Sequence, residues 1–356
     1  MKTKQKHTDG FLRTRMLITA IFFLTLLTLN AQDFTKTYYN EKYDVDKGAS
    51  LVIQDKFGDI HCQAWDESSV SVIVTVKVDA SSQEKADRIF SKIDITLTGS
   101  RTKVEGKTSV GSISNANYSI NYEIHMPRWI NIDLDNQFGN IYLDETDGTA
   151  RIELQYGDMQ ANSFNGTKTD MTIKFSNVET GYIKDGNVNI EYSELDSKGA
   201  DNMKLYSRFS ELTIEKIGML NLDSQYDEIK TGSAGQIISV SRFSGLKFDK
   251  INGDFDFDME YGDLEAKHIS ATFKVGKVRN SFAGADLGFD PKASMTINAD
   301  MEFGELKYPK SHSSMSEETT GYTTNIYKGR IGESTSPASQ LTVNSKNADV
   351  KISFEE

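Results

Sequence analysis

A four-residue pattern returns eight times in succession between Phe138 and Leu264: an aromatic residue, a small or polar one, in most copies an acidic or amide residue, then an aliphatic one. It runs from Phe138-Gly139-Asn140-Ile141 through Tyr192-Ser193-Glu194-Leu195 to Tyr261-Gly262-Asp263-Leu264, and the steps between aromatics are 18, 19, 17, 17, 17, 17 and 18 residues. Weaker copies stand at Phe57 and Phe303, and a degenerate one near Phe282. Self-similarity at a fixed short period means that each unit buries its apolar face only against its neighbours.

Before each aromatic the residues alternate, as in Ile152, Leu154 and Tyr156 or Phe257, Met259 and Tyr261. After it the next apolar residue arrives three positions on, at Met159, Leu195 and Leu264. Such a phase shift marks a corner or bulge, and Gly, Ser, Asp and Asn suit the backbone angles it needs. A second turn signal, such as Asp147-Gly148 or Asn252-Gly253, lies about halfway round. Each repeat therefore reads as strand, corner, strand, turn. The fold expected is all-β: a single-stranded parallel β-helix, or solenoid, of about 17–18 residues per coil, with neighbouring strands about 4.8 Å apart. Parallel crossovers are overwhelmingly right-handed, so right-handed winding is the default expectation.

The residues just before the aromatics are Gln155, Lys174, Glu191, Arg208, Gln225, Arg242 and Glu260. With one repeat per coil they stack in a single outward row, each cation between Gln or Glu neighbours. With two repeats per coil, Lys174, Arg208 and Arg242 would be superposed and would repel. Charge favours one repeat per coil, and the same logic predicts a Phe/Tyr ladder inside. Lys174, Arg208 and Arg242 are the candidate surface-binding residues.

Residues 1–31 read as a secretory signal peptide. Lys2, Lys4, Lys6, Arg13 and Arg15 precede the apolar run Met16–Leu29, and cleavage is expected between Ala31 and Gln32. The run is shorter than the roughly 18 apolar residues of a membrane-spanning helix, and no integral span is expected after cleavage. Loss of five basic residues and one acidic residue takes the net charge from −12 to about −16. That charge argues against nucleic-acid partners and anionic lipid. The one cysteine, Cys62, shares a face with Ile60 and Ala64 and reads as a buried structural thiol.

Residues 32–135 read as a β-rich cap with a helix over 81–93, begun by a capping box of Ser81 and Glu84, and with a polar loop over 106–117. The solenoid follows over 136–354. Pro309–Thr324 reads as a polar, mobile loop, and residues 340–352 as a final coil.

The stretches "LVIQDKFGDIHCQAW", "SSQEKADRIFSKI", "YEIHMPRWINIDLDNQFGNIYL" and "GRIGESTSPASQLTVNSKNADVKI" resemble the bacterial putative adhesin family of the cell envelope, a domain-of-unknown-function family related to the head GIN domain. The resemblance covers most of residues 45–354. It implies a β-helical fold and an exported protein, in periplasm, at the cell surface or secreted, and it brings no catalytic residues. This chain departs from many relatives in setting Phe or Tyr, often with Ser, where they have Gly-rich corners.

The acidic corners supply one carboxylate per coil, too few for the six to eight oxygens of calcium. The histidines lack metal-ligand spacing, and no Gly-x-Ser-x-Gly occurs. No cofactor, metal or enzymatic activity is expected. The functional reading is a non-catalytic binding, adhesin-like or scaffold module with an envelope or extracellular partner, protein or glycan. The alternative is a carbohydrate-active β-helix, a polysaccharide lyase or hydrolase.

Overall fold

The computed structural model describes residues 32–355. The proposed signal segment up to Ala31 lies outside the described residues. The described chain is nearly all β: 24 strands join into one sheet, and a single α-helix stands beside it.

The repeats pair in parallel, one with the next. Asn177–Glu191 lies beside Glu194–Arg208, which lies beside Glu211–Gln225, which lies beside Glu228–Ile251, with partners 17 residues apart throughout. Val188, Leu205, Leu222 and Ser239 thus stand side by side facing inward, as do Val178, Leu195, Leu212 and Ile229. Apolar columns of this kind form the core, since a single repeat has no second face to bury against.

The array also takes in sequence from far upstream. Strands Ser50–Lys56 and Ile60–Trp65 pair in parallel with Asn131–Gln137 and Ile141–Thr146, joining Leu51 to Ile132 and Ile60 to Ile141. Between these two rungs the chain makes an excursion. Strand Ser69–Ala80 runs antiparallel to both Gln32–Asp44 and Asn117–Pro127, and its inward residues Val70, Val72, Val74, Val76 and Val78 are fully buried.

The helix spans Gln83–Phe90, shorter than expected. Its cap is Ser82, whose hydroxyl accepts the Lys85 N–H at 3.3 Å, so the Ser81–Glu84 capping box does not form. Ala86 and Phe90 are the buried residues of its inner face. The helix stops where Ile93, Ile95 and Leu97 begin a period-two alternation that a strand buries better.

Two polar segments are more ordered than composition suggested. Strand Lys103–Val110 takes up the first part of the 106–117 loop. The 309–324 segment is a short 3-10 turn, Lys310–His312, followed by strand Ser313–Thr320, which forms an antiparallel hairpin with Thr324–Ile331. Met315 packs against the core, and Lys328 meets Glu317 at 2.9 Å. Ser and Thr tolerate strands well once a partner edge is present.

The last segment is not last in space. Strand Ser339–Lys346 is inserted between Val275–Phe289 and Met295–Glu302, parallel to both.

Candidate functional site

Strand alternation placed the aromatic rings inside; they are outside. Each corner aromatic adopts a left-handed backbone, with φ between 52° and 70° from Phe57 through Phe303. That single twist cancels one step of alternation, so the ring turns outward and the following small residue turns toward the corner. The phase shift lies at the aromatic, not after it. The rings from Phe138 to Phe303 are 40–57% exposed, far too open for core residues.

Outside, the ladder itself is real. Ten rings, Phe57, Phe138, Tyr156, Phe175, Tyr192, Phe209, Tyr226, Phe243, Tyr261 and Phe282, stack in one file with centroids 4.8–5.3 Å apart and planes within 8°. Parallel planes at that centroid separation are offset, the favoured aromatic geometry. A left-handed residue with a side chain costs roughly 1–2 kcal/mol. One ring contact per rung returns about 0.5–1.5 kcal/mol, and a corner hydrogen bond about 1 kcal/mol. The two together offset the strain.

The corner bonds are a column of hydroxyls. Ser176 N–H donates to Ser193 Oγ at 3.0 Å, Ser193 N–H to Ser210 Oγ at 3.2 Å, and Asp227 N–H to Ser244 Oγ at 3.0 Å. Each hydroxyl donates in turn to the carbonyl two residues back, as Ser193 Oγ does to Glu191 at 2.8 Å. Asp227 takes the serine position once. It accepts from Ser210 N–H at 2.8 Å and the Ser224 hydroxyl at 2.7 Å, and burial raises its carboxyl above the ordinary value. Earlier corners use Gly, because a Cβ at Gly139 would lie 1.8 Å from the Gly58 carbonyl oxygen.

Beside the ladder runs the row of candidate residues. Gln137, Gln155, Lys174, Glu191, Arg208, Gln225, Arg242 and Glu260 are consecutive register partners. Lys174 meets Glu191 at 3.1 Å and Arg242 meets Glu260 at 3.8 Å, while Gln137 and Gln155 share a 3.0 Å side-chain hydrogen bond. Among the described residues Arg208 makes no ion pair, standing between Glu191 and Gln225. The three cations are therefore two rungs apart, roughly 10 Å, rather than brought together. Lys174 alone borders an outer groove with Lys56, Asp135, Gln137, Glu153 and Gln155. Burial, then Glu153 alongside, raises the Asp135 carboxyl there.

Among the described residues no three His, Cys, Asp or Glu side chains gather as a metal site. Cys62 is buried, and burial pushes its thiol up to about 12. Such a thiol is unreactive. Glu194, Glu211 and Glu228 do stand in register, and Glu211 is bridged to Lys230 at 2.8 Å.

The outward rings are what sequence reasoning missed. The signal was present in the three-residue interval after each aromatic, which a left-handed residue produces as readily as a bulge behind it.

The described residues form an all-β chain with a continuous outward wall of corner rings and charged side chains. Solved structures similar to it include a putative adhesin from Parabacteroides merdae, at 10% identity over 91% of this chain and 97% of that one, with a TM-score of 0.31. A putative adhesin from Bacteroides fragilis matches at 9% over 90% and 97%, with a TM-score of 0.25. A putative lipid binding protein from Parabacteroides distasonis matches at 8% over 90% and 97%, with a TM-score of 0.30. The first two carry the name of the family that the sequence motifs resemble. No family model and no curated protein matches the chain.

Proposed function

We propose that the chain is an exported, non-catalytic binding or scaffold rod of the bacterial envelope, wound as a single-stranded parallel β-solenoid. In this reading residues 1–31 are the signal peptide, cut between Ala31 and Gln32. Residues 32–135 cover one end, with 50–65 supplying a first rung, and residues 136–354 form the rod, right-handed by the default of parallel crossovers. The binding face is the wall formed by the corner rings and the row of Lys174, Arg208 and Arg242.

One observation carries this: the register sets nine exposed rings, with half-buried Phe57 at their head, and an alternating charged row in two adjacent files. Because the ring faces are covered by neighbouring rings, the file offers edges. Sugars stack on faces, so a glycan would have to be held by the polar row.

The test is capture of partners from intact envelopes by the chain lacking residues 1–31. A variant carrying Lys174→Glu, Arg208→Glu and Arg242→Glu, with unchanged circular dichroism, should lose the captured species. Equal capture by both proteins overturns the assignment of this wall. Turnover of uronic-acid glycans that disappears in Arg208→Ala overturns the non-catalytic reading. N-terminal sequencing of the exported protein should begin at Gln32.

A further inference from the structure

One position before the charged row, side chains face inward. Along this column Leu154, Ile173, Ile190 and Met259 are apolar, but its first two members are Asp55 and Asn136, direct register partners that are 5% and 1% exposed. On the other side of Asp55 runs the strand Lys103–Val110. Its register, Val52 to Glu105 and Gln54 to Lys107, sets Thr108 next to Asp55.

The hydrogens available to this group can be counted. Asn136 donates both amide hydrogens across the corner, to Gly58 O at 2.9 Å and Asn140 O at 3.0 Å, which fixes its Oδ1 as an acceptor. That Oδ1 and both Asp55 oxygens are buried without a partner of full hydrogen-bond geometry. Thr108 Oγ1 and the Tyr122 hydroxyl lie 2.9 Å apart and share one of their two hydrogens. If Tyr122 donates to Thr108, the Thr108 hydrogen is left for one Asp55 oxygen. The Lys56 N–H is available to the other. Asn136 Oδ1, on the direct register partner of Asp55, is then the acceptor still without a hydrogen, and a carboxylic acid proton on Asp55 is the hydrogen that can serve it.

We propose that Asp55 is a neutral carboxylic acid in the folded chain and donates its proton to Asn136 Oδ1, forming a pH-sensitive latch. It ties together the excursion strand Lys103–Val110, the first rung and the Asn131–Gln137 strand. The surroundings give an ionised Asp55 no counter-charge. Lys56 reaches away over the rings of Phe57 and Phe138, at 5.2 and 5.7 Å from their centroids. Lys107 alternates to the outer face, and Lys174 is paired with Glu191. Asp59 adds like charge from the corner, Tyr122 is neutral, and Asp135 and Glu153 are acidic neighbours on the outer wall. In agreement, burial raises the Asp55 carboxyl to about 7; Thr108 and the Lys56 N–H pull it back only in part.

The sign follows from linkage. The unfolded carboxyl ionises near its ordinary value of 3.8 and the folded one near 7. The latch is therefore complete below about pH 4, and its contribution falls as pH rises between those values and is gone above.

The experiment compares the pH dependence of unfolding for the wild-type chain and for Asp55→Asn, whose amide donates to Asn136 Oδ1 at every pH. Between about pH 5 and 6.5 the wild-type unfolding constant should rise close to tenfold per pH unit relative to the variant. Parallel profiles overturn the proposal. If Asp55→Asn does not fold, the carboxyl carbon of Asp55 in the wild-type chain is titrated by carbon-13 NMR. A midpoint near 7 supports the latch, and one at or below 4 overturns it. Calcium or potassium chloride raising the wild-type melting temperature at pH 8, but not that of Asp55→Asn, also overturns it, since the carboxylate would then hold a cation.

Discussion

The middle of the array and its two ends obey different rules. From Asn177 to Gln225 each residue's partner lies 17 places along the chain, so neighbours in space are neighbours in sequence. At one end Ile60 finds Ile141, 81 positions away, after an excursion of antiparallel strands. At the other, Ser339–Lys346 lies between two segments made before it, and an antiparallel hairpin follows them. A stack of parallel rungs leaves an open strand edge at each end, and antiparallel strands and a helix shield edges without demanding another rung. Periodicity governs the middle; edge protection governs the ends.

The contrast can be broken most severely at a corner without room. Gly139→Ala sets a methyl against the Gly58 carbonyl of the upstream rung, and should cost on the order of 3 kcal/mol or more. Urea unfolding measures it, and a cost under 1 kcal/mol would mean that the rungs slide apart easily.

The next largest effect separates middle from end. Phe209→Ala removes two ring contacts, to Tyr192 and Tyr226, while leaving a side chain in the left-handed conformation. A loss of about 2–3 kcal/mol is expected. Phe209→Gly relieves that strain and should cost less than alanine by roughly 1 kcal/mol. Phe303→Ala, outside the stacked file, should cost less than Phe209→Ala. Alanine and glycine behaving alike at 209 would show that the corner is not strained.

Smaller still is a gain at the break in the ladder. Ser281 and Glu302 both pair with Lys346, so Asn347, with φ 55°, fills the corner place between Phe282 and Phe303. Asn347→Tyr should join Phe303 to the file and stabilise the chain by about 1 kcal/mol. The smallest effect belongs to the charged row. Arg208→Gln should change stability by less than about 0.5 kcal/mol, because Arg208 makes no ion pair among the described residues and exposed charges contribute little. A larger loss would make the row structural rather than a surface left open for a partner.

The same contrast sets what could be read beforehand. One repeat per rung followed from the alternation of Lys174, Glu191, Arg208 and Gln225, because like charges avoid direct opposition and the register is local. The outward turn of the rings was hidden because a left-handed Phe and a bulge after an inward Phe leave the same spacing to Met159 or Leu195. Ser81 and Ser82 are equivalent as caps on paper, and only the Lys85 N–H chooses between them. The Ser- and Thr-rich stretch 313–320 looked like a loop because its strand depends on an edge supplied by 324–331. Asp55 and Asn136 were legible in principle, as polar members of an otherwise largely apolar and serine column, but only once the column was known to face inward.

The insertion of Ser339–Lys346 between two earlier strands has a consequence for how the molecule is made. A chain synthesised N-terminus first can lay down its floors one upon another as far as Val275–Phe289. The floor above must then wait, since its seat is occupied by residues still to emerge. The tail acts as a keystone: closure awaits the end of synthesis, and a chain stopped short of Ser339 would leave two bare edges facing a gap one strand wide.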